Sequence, residues 1–123
     1  MKKNKEIHQG DVYMVELDGI DSEQQNVHPV IIVSNDILNK SSRNIVIFPI
    51  THQNKKSMPF HYVLNKENYP FFTYRRNIVQ PECVRHISKN RLQRYIGTIF
   101  AKDLVEILKC KEYIFIEKNR SDY

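Results

Sequence analysis

The two cysteines and five histidines are the side chains of this 123-residue chain that are best suited to nucleophilic or metal chemistry. Cys83 and Cys110 stand far apart, and neither a Cys-x-x-Cys pair nor a paired histidine spacing occurs, which argues against a zinc site. The residues around Cys83 include no base that would activate its thiol. There is no Walker loop and no Gly-x-Gly-x-x-Gly motif. We therefore expect no metal and no nucleotide cofactor.

Basic residues are concentrated in one stretch of the chain. The net charge is +5 with histidine neutral, and the segment from Arg75 to Arg94 holds six lysines and arginines against one acid, Glu82. The remainder of the chain is electrically balanced. A segment of this kind forms either a solvated face or a surface that binds phosphate groups.

The composition is typical of one globular domain. At 41% hydrophobic and 27% charged residues, the chain is too apolar to be disordered. No apolar run has the length of a membrane span, and the basic start of the chain leads into no apolar signal core, so we expect a cytoplasmic protein. We expect a single domain over residues 1–123, with flexible ends at about 1–8 and 118–123.

Short strands must position any site in this chain. Alternating or β-branched apolar runs predict strands at residues 12–17, 29–33, 44–50, 60–64, 78–84 and 95–100. Polar loops separate the first three strands, and Ser88 is predicted to cap a single helical turn. The spacing of Leu104, Ile107 and Leu108 predicts an amphipathic helix over residues 102–117. These elements predict a mainly β fold, a small barrel or half-barrel with a helix packed against it.

Four segments, in this order, resemble the MazF/PemK family of bacterial toxins, the toxin halves of type II toxin–antitoxin pairs. The first is Gly10-Asp11-Val12-Tyr13. The second combines Ser22-Glu23-Gln24, Pro29-Val30-Ile31-Ile32 and Ser34-Asn35-Asp36. The third is Pro49-Ile50-Thr51, and the fourth is Val84-Arg85 followed by Ile87, Lys89, Arg91 and Leu92. Each match is short, but their order and spacing cover most of the chain.

The resemblance implies a small SH3-like or plug-like β-barrel with a C-terminal helix, assembled as a homodimer. It also implies metal-independent cleavage of single-stranded RNA, in which the ribose 2′-hydroxyl attacks the adjacent phosphorus and leaves 2′,3′-cyclic phosphate and 5′-hydroxyl ends. The implied partner is an antitoxin that inserts an acidic segment into the RNA groove. The family's catalytic pair is an arginine just before the second strand's Pro-Val and a threonine that closes the third strand. These positions are His28 and Thr51 here.

His28 is the main departure from the family pattern. Arginine is permanently charged and is a poor base, whereas histidine gives and takes protons near neutral pH. His28 therefore either supports the reaction as a general acid or base, or marks a protein that has lost activity, or merely fits at the start of a strand.

The resemblance also assigns roles around this pair. Thr51 would donate its hydroxyl to a phosphate oxygen, or it is an ordinary strand end. Glu23 and Gln24 lie in the loop that borders the RNA groove, where a carboxylate would orient His28 or act as a second base, unless it is simply solvated. Arg85 would bind phosphate, or form an ion pair with Glu82.

Further candidates come from residue type. Gln80 is able to read a base edge through its amide, although an ordinary sheet position explains it equally. His52 directly follows Thr51 and is a candidate second proton carrier. The aromatic residues of the irregular segment either stack on bases or belong to the core. They are Tyr69, Phe71, Phe72 and Tyr74.

Two classes of function remain open at this stage. The first is an endoribonuclease toxin that is neutralised by an antitoxin. The second is a catalytically inactive protein of the same fold that binds RNA or a protein partner, including a gyrase-directed toxin like the CcdB proteins. The matches at Ser22-Glu23-Gln24 and Thr51 favour the ribonuclease branch. A structural SH3-like interaction module is a third, remote interpretation.

Overall fold

The computed structural model describes residues 6–17, 27–53 and 56–115. Within these ranges, the strands are β1 (Asp11–Glu16), β2 (Val27–Ile32), β3 (Asn44–Thr51), β4 (Tyr62–Asn65), β5 (Arg76–Val79), β6 (Arg85–Ser88) and β7 (Leu92–Thr98). The helices are α1 (Asp36–Ser41), α2 (Ala101–Cys110) and α3 (Glu112–Phe115), with single 3-10 turns at Pro81–Cys83 and Lys89–Arg91. No helix within the described ranges is long and apolar enough to cross a membrane.

The strands form one antiparallel sheet that bends into a half-barrel. Its order is β4-β5-β3-β2-β1-β7, with β6 also paired to β3. β5 and β6 pair with successive halves of the same edge of β3, at Ile50–Thr51 and Asn44–Ile47 respectively. The predicted mainly β fold with a C-terminal helix is confirmed.

Alternation along the strands divides the core between two faces of the sheet. On one, which we call the helix face, Val12, Ile31 and Phe48 pack with Ile107 of α2. The other, the opposite face, carries a second cluster that includes Val15, Val30, Ile32, Ile45, Ile47 and Ile87. Each site residue on a strand can therefore be assigned to a face from its register.

Pro49 lies inside β3 without breaking the sheet. A residue in a strand directs its N–H and C=O to the same side, and the Pro49 carbonyl accepts a hydrogen bond from the Gln80 N–H at 2.9 Å. The missing N–H of Pro49 therefore falls on the edge where the partner of β3 changes from β6 to β5. A proline is tolerated in a strand where its missing N–H faces such a gap in the ladder.

Asp103 fastens helix α2 to the sheet. Its carboxylate accepts hydrogen bonds from the hydroxyls of Tyr62, at 2.6 Å, and Tyr69. The Tyr69 hydroxyl in turn accepts the N–H of Phe100 at the start of the helix. Burial, reinforced by the hydrogen bond to Asp103, raises the pKa of Tyr69 to about 12 and raises that of Tyr62 as well.

Three sequence predictions of elements need correction. The single strand expected at residues 78–84 is wrong, because Pro81 opens a 3-10 turn that separates β5 from β6. The polar connection at residues 35–44 contains helix α1, which Asn35 caps by accepting the Leu38 N–H. The C-terminal helix is divided into α2 and α3. The helical turn capped by Ser88 is confirmed, since its hydroxyl accepts the Asn90 N–H.

Candidate active site

A cavity of about 620 Å³ opens at the end of the half-barrel where β2 begins. Its described lining contains three basic or titratable nitrogen side chains, those of His28, His52 and Arg94, and no aspartate or glutamate. The remaining wall is largely apolar or aromatic, formed by Met14, Val27, Pro29, Phe71, Phe72, Thr73, Tyr74, Asn77 and Ile96. An acid-free wall with cationic groups is suited to an anionic ligand.

His28 stands where this cavity meets the opposite face of the sheet. Three consecutive residues of β2, Val27 to Pro29, line the cavity, so the end of the strand borders it edge-on. His28 pairs with Val15 in β1 and is only 8% exposed. The β2–β3 register pairs Val30 with Pro49, and two further residues along it would bring His28 opposite Thr51. The paired residues of this ladder end at Val30 and Pro49, and alternation puts His28 on the face of Val30 and Thr51 on the face of Pro49, which is the same face.

Thr51 ends β3 and has part of its hydrogen-bonding capacity in use. The Gln53 N–H donates to its Oγ1 at 3.2 Å. That bond occupies a lone pair of the hydroxyl oxygen and leaves its proton to be donated elsewhere. Thr51 is half-buried, and it is not among the described residues that line the cavity.

His52 lines the cavity as half of a stacked pair of rings. Its imidazole lies on the phenol of Tyr74, with ring centroids 3.7 Å apart and planes 13° from parallel. Tyr74 is held from behind by Asn77, whose Nδ2 donates to the carbonyl of Tyr74 at 2.9 Å and to that of Leu64 at 3.1 Å. Asn77 is 2% exposed, so this support belongs to the core.

Arg94 brings the basic segment to the site. It pairs with Met14 in β1, and Met14 also pairs with Pro29, so β1 joins Arg94 to the start of β2. Other members of the segment diverge in space. Arg91 donates to the carbonyl of Glu16, and Lys89 lines a second cavity beside α1. The cluster that is continuous in sequence is thus dispersed by the fold, and Arg94 is its one member among the described cavity-lining residues.

Gln80 and Arg85 lie beside β3, away from the cavity lining. Gln80 follows β5 and is 7% exposed, and its N–H bonds to Pro49. Arg85 pairs with Ile47, which puts it on the opposite face, four residues or about 13 Å along β3 from Thr51. Glu82, the ion-pair partner considered for Arg85, has its Oε2 2.8 Å from Nε2 of His61.

Two predicted site residues, Glu23 and Gln24, lie outside the described residues. Within the ranges that are described, no group of three or more His, Cys, Asp and Glu side chains is placed to hold a metal ion. Cys110 is buried in α2, and burial raises the pKa of its thiol.

Sequence reasoning missed Asn77, and it included Arg94 only as one charge in a cluster. No local pattern distinguishes either residue. Arg94 reaches the site because the β1–β7 ladder has irregular register on both sides of the Tyr13 and Met14 pairs. The aromatic residues were predicted as either stacking residues or core. The structure divides them, because Tyr69 and Phe72 are buried while Tyr74 is half exposed.

The comparisons with known proteins agree with this architecture. Residues 8–115 match the family model described as the PemK-like, MazF-like toxin of type II toxin–antitoxin systems. The chain belongs to this family. It is also 31% identical over 103 residues to a protein named endoribonuclease MazF from Staphylococcus saprophyticus, a match that covers 82% of this chain and 84% of that protein.

Solved structures of the family share the fold at low sequence identity. MazF from Deinococcus radiodurans superposes with a TM-score of 0.72 at 16% identity, covering 90% of this chain and 97% of that one. A mycobacterial endoribonuclease solved in complex with its cognate antitoxin gives a TM-score of 0.67 at 18% identity, covering 89% and 93% of the two chains.

Proposed function

We propose that this toxin-family protein is an endoribonuclease that cleaves single-stranded RNA without a metal ion. The observation that carries the proposal is the cavity whose described lining contains both His28 and Arg94 and no aspartate or glutamate. A phosphodiester is anionic, so a cationic wall attracts it, and an imidazole at the same place is the side chain that most readily transfers protons near neutral pH.

The reaction that fits these groups is an internal displacement at phosphorus. The 2′-oxygen forms a bond to phosphorus while the bond from phosphorus to the 5′-oxygen breaks. The 2′-proton passes to a base, and the leaving 5′-oxygen takes a proton from an acid. His28 performs one of these two transfers, and water performs the other. The products are a 2′,3′-cyclic phosphate and a 5′-hydroxyl end.

Neighbouring groups stabilise the negative charge that builds on the phosphate oxygens. Arg94 supplies a permanent positive charge at the cavity, and the Thr51 hydroxyl donates a hydrogen bond from the end of β3. His52 lines the cavity and binds substrate there, through a ring that is stacked on Tyr74. Arg85 and Gln80 would contact RNA further along β3, and Glu23 and Gln24 would border the groove.

The proposal extends to partners and location. The relative solved with its cognate antitoxin supports an antitoxin as the protein partner of this chain. An acidic segment of the antitoxin that lies over the cavity would bind the same cationic side chains as RNA does, and it would therefore compete with RNA. We further propose a homodimer that acts in the cytoplasm.

The direct test is cleavage of a long single-stranded RNA by the purified protein in EDTA, with chemical identification of the product ends. We expect cleavage that leaves cyclic phosphate and 5′-hydroxyl ends. His28→Ala should leave only a small residual activity and Thr51→Ala should lower it less, while Thr51→Ser retains most of it. His86→Ala, at an exposed position on β6, is the matched control. Cleavage that survives both alanine substitutions would overturn the site, and binding without cleavage by the wild type would overturn the enzyme.

A further inference from the structure

The stacked pair of His52 and Tyr74 is an unusual feature of the cavity wall. Two flat rings lie nearly parallel with centroids 3.7 Å apart, yet Tyr74 remains 50% exposed. A half-exposed tyrosine side chain would otherwise be free to rotate, and stacking on His52 holds its ring in one orientation. A ring that is held flat at the mouth of a cavity presents a preformed surface on which another flat ring can stack.

The backbone below Tyr74 is immobilised by a buried side chain. The Asn77 amide joins the carbonyls of Tyr74 and Leu64 and so ties the irregular segment to β4. Asn77 is itself held in the core. The backbone that carries Tyr74 is therefore held in place before any ligand arrives, which lowers the entropic cost of binding on its ring.

The remaining walls suit a nucleotide. Phe71, Phe72 and Ile96 form an apolar floor, and Arg94 provides a cation. The floor depends on Gly97, because a Cβ at that position would overlap the Phe71 ring. A volume of about 620 Å³ is within the usual range for small-ligand sites, roughly 300 to 1,000 Å³.

We propose that this cavity is a nucleobase subsite. One base of single-stranded RNA stacks on the ring pair of His52 and Tyr74, and Arg94 contacts an adjoining backbone phosphate. This inference rests on the proposed function, which makes RNA the ligand. Stacking on an aromatic face tolerates any base, so the subsite supplies affinity and positions the strand rather than selecting a sequence.

The test separates stacking from cleavage. A short 2′-O-methyl RNA that carries one 2-aminopurine lacks the attacking hydroxyl, so it binds without reacting, and stacking quenches its fluorescence. The wild type and Tyr74→Phe should bind it within about twofold of each other and quench it. Tyr74→Leu should lose about tenfold in affinity together with the quenching. Tyr113→Leu, at an exposed tyrosine of α3 outside the cavity lining, is the matched control and should behave as wild type.

Two results would overturn the subsite: wild-type binding by Tyr74→Leu, or an equal loss in Tyr74→Phe, which would implicate the hydroxyl or the fold instead of the ring. Cleavage of the corresponding ribo-oligonucleotide is measured in parallel. If the wild type cleaves the ribo-oligonucleotide and Tyr74→Leu binds and quenches the probe as the wild type does, the proposed subsite is wrong while the proposed endoribonuclease activity is supported. If the wild type quenches the probe but does not cleave, the endoribonuclease fails while the subsite stands.

Discussion

Two cavities of this protein both contain basic side chains but differ in the acids that stand beside them. The first, at the start of β2, has His28, His52 and Arg94 without an acid in its described lining. The second, about 460 Å³ beside α1, has His8, Lys40 and Lys89 together with Glu6 and Asp36. In the second, His8 lies 3.0 Å from Asp36 and 3.3 Å from Glu6, so its histidine is already paired with carboxylates.

The difference shows that a count of basic residues does not locate an anion site. Lys89 and Arg94 belong to the same basic segment, yet Lys89 lines the cavity that contains Glu6 and Asp36, whereas Arg94 lines the cavity whose described wall holds no acid. Only the described lining of the first cavity leaves its positive charge without a carboxylate beside it. RNA is therefore expected at the first cavity and not at the second.

The largest contrast should come from the two histidines. His28→Ala removes a proton carrier and should lower the rate of RNA cleavage by about a hundredfold or more. His8→Ala, in the second cavity, should leave the rate within about twofold of wild type. Initial rates measured across neutral pH provide the check, because wild-type activity should turn over with pH while His28→Ala shows a flat residual rate. Equal losses in the two variants would remove the distinction between the cavities.

The wall of the first cavity should be sensitive to a single methyl group. Gly97→Ala places a Cβ within the Phe71 ring, and the displaced ring should cost about 2 kcal/mol of unfolding free energy. Urea denaturation measures this loss. Ser41→Ala, at an exposed position on α1 near the second cavity, provides a reference for substitution without overlap. An unchanged stability of Gly97→Ala would mean that Phe71 does not pack against this strand.

Charge removal should also distinguish the cavities. Arg94→Gln should weaken binding of a 2′-O-methyl RNA by about tenfold and reduce the dependence of log affinity on log salt by roughly 0.7, the contribution of one phosphate contact on a single strand. Lys89→Gln removes the same charge from the second cavity and should change neither quantity. Fluorescence anisotropy over a salt series measures both. A larger loss of affinity in Lys89→Gln than in Arg94→Gln would show that RNA binds at the second cavity instead of the first.

The smallest effect concerns the ion pair of His8 and Asp36 in the second cavity. The hydrogen bond to Asp36 raises the pKa of His8, while the Gln9 N–H and His8 lower the pKa of Asp36. The contribution of His8 to stability is complete below its unfolded pKa and is lost as pH rises through the folded value. The contribution of Asp36 is present above its unfolded pKa and is lost as pH falls through the folded one. The pair therefore stabilises the fold most between about pH 4 and pH 6.5.

Substitution of Asp36 tests this pairing. In Asp36→Asn, the pKa of His8 measured by NMR should fall toward its ordinary value, because the hydrogen bond that raises it is lost. A His8 pKa that is the same in both proteins would show that Asp36 does not compensate it.

The sequence predicted the strands better than it predicted the site. β1 to β4 were recognisable because β-branched and alternating runs report burial directly. Helix α1 was missed because it has only six residues and leaves Ile37 79% exposed, so it has no apolar periodicity, although Asn35 and Asp36 were suitable capping residues. Pro81 lies between apolar residues, so the sequence predicts one strand there. The turn that it opens separates β5 from β6, and both pair with β3 through contacts that no local pattern reveals.

The cavity could not be predicted from local pattern. It joins the start of β2, the residue after β3, an irregular aromatic segment and β7, and these meet only through sheet register. Arg94 reaches the cavity through the irregular β1–β7 ladder, for which the sequence carries no signal. The roles of His28 and Thr51 came from resemblance and stay predictions.

The most direct test of the account is NMR of the histidine side chains during titration with a non-cleavable 2′-O-methyl RNA. The imidazole resonances of His28 and His52 should shift together and saturate at the same RNA concentration, while those of His8 should not move. Shifts at His8 with His28 and His52 unmoved would contradict it, because RNA would then occupy the acid-lined cavity beside α1.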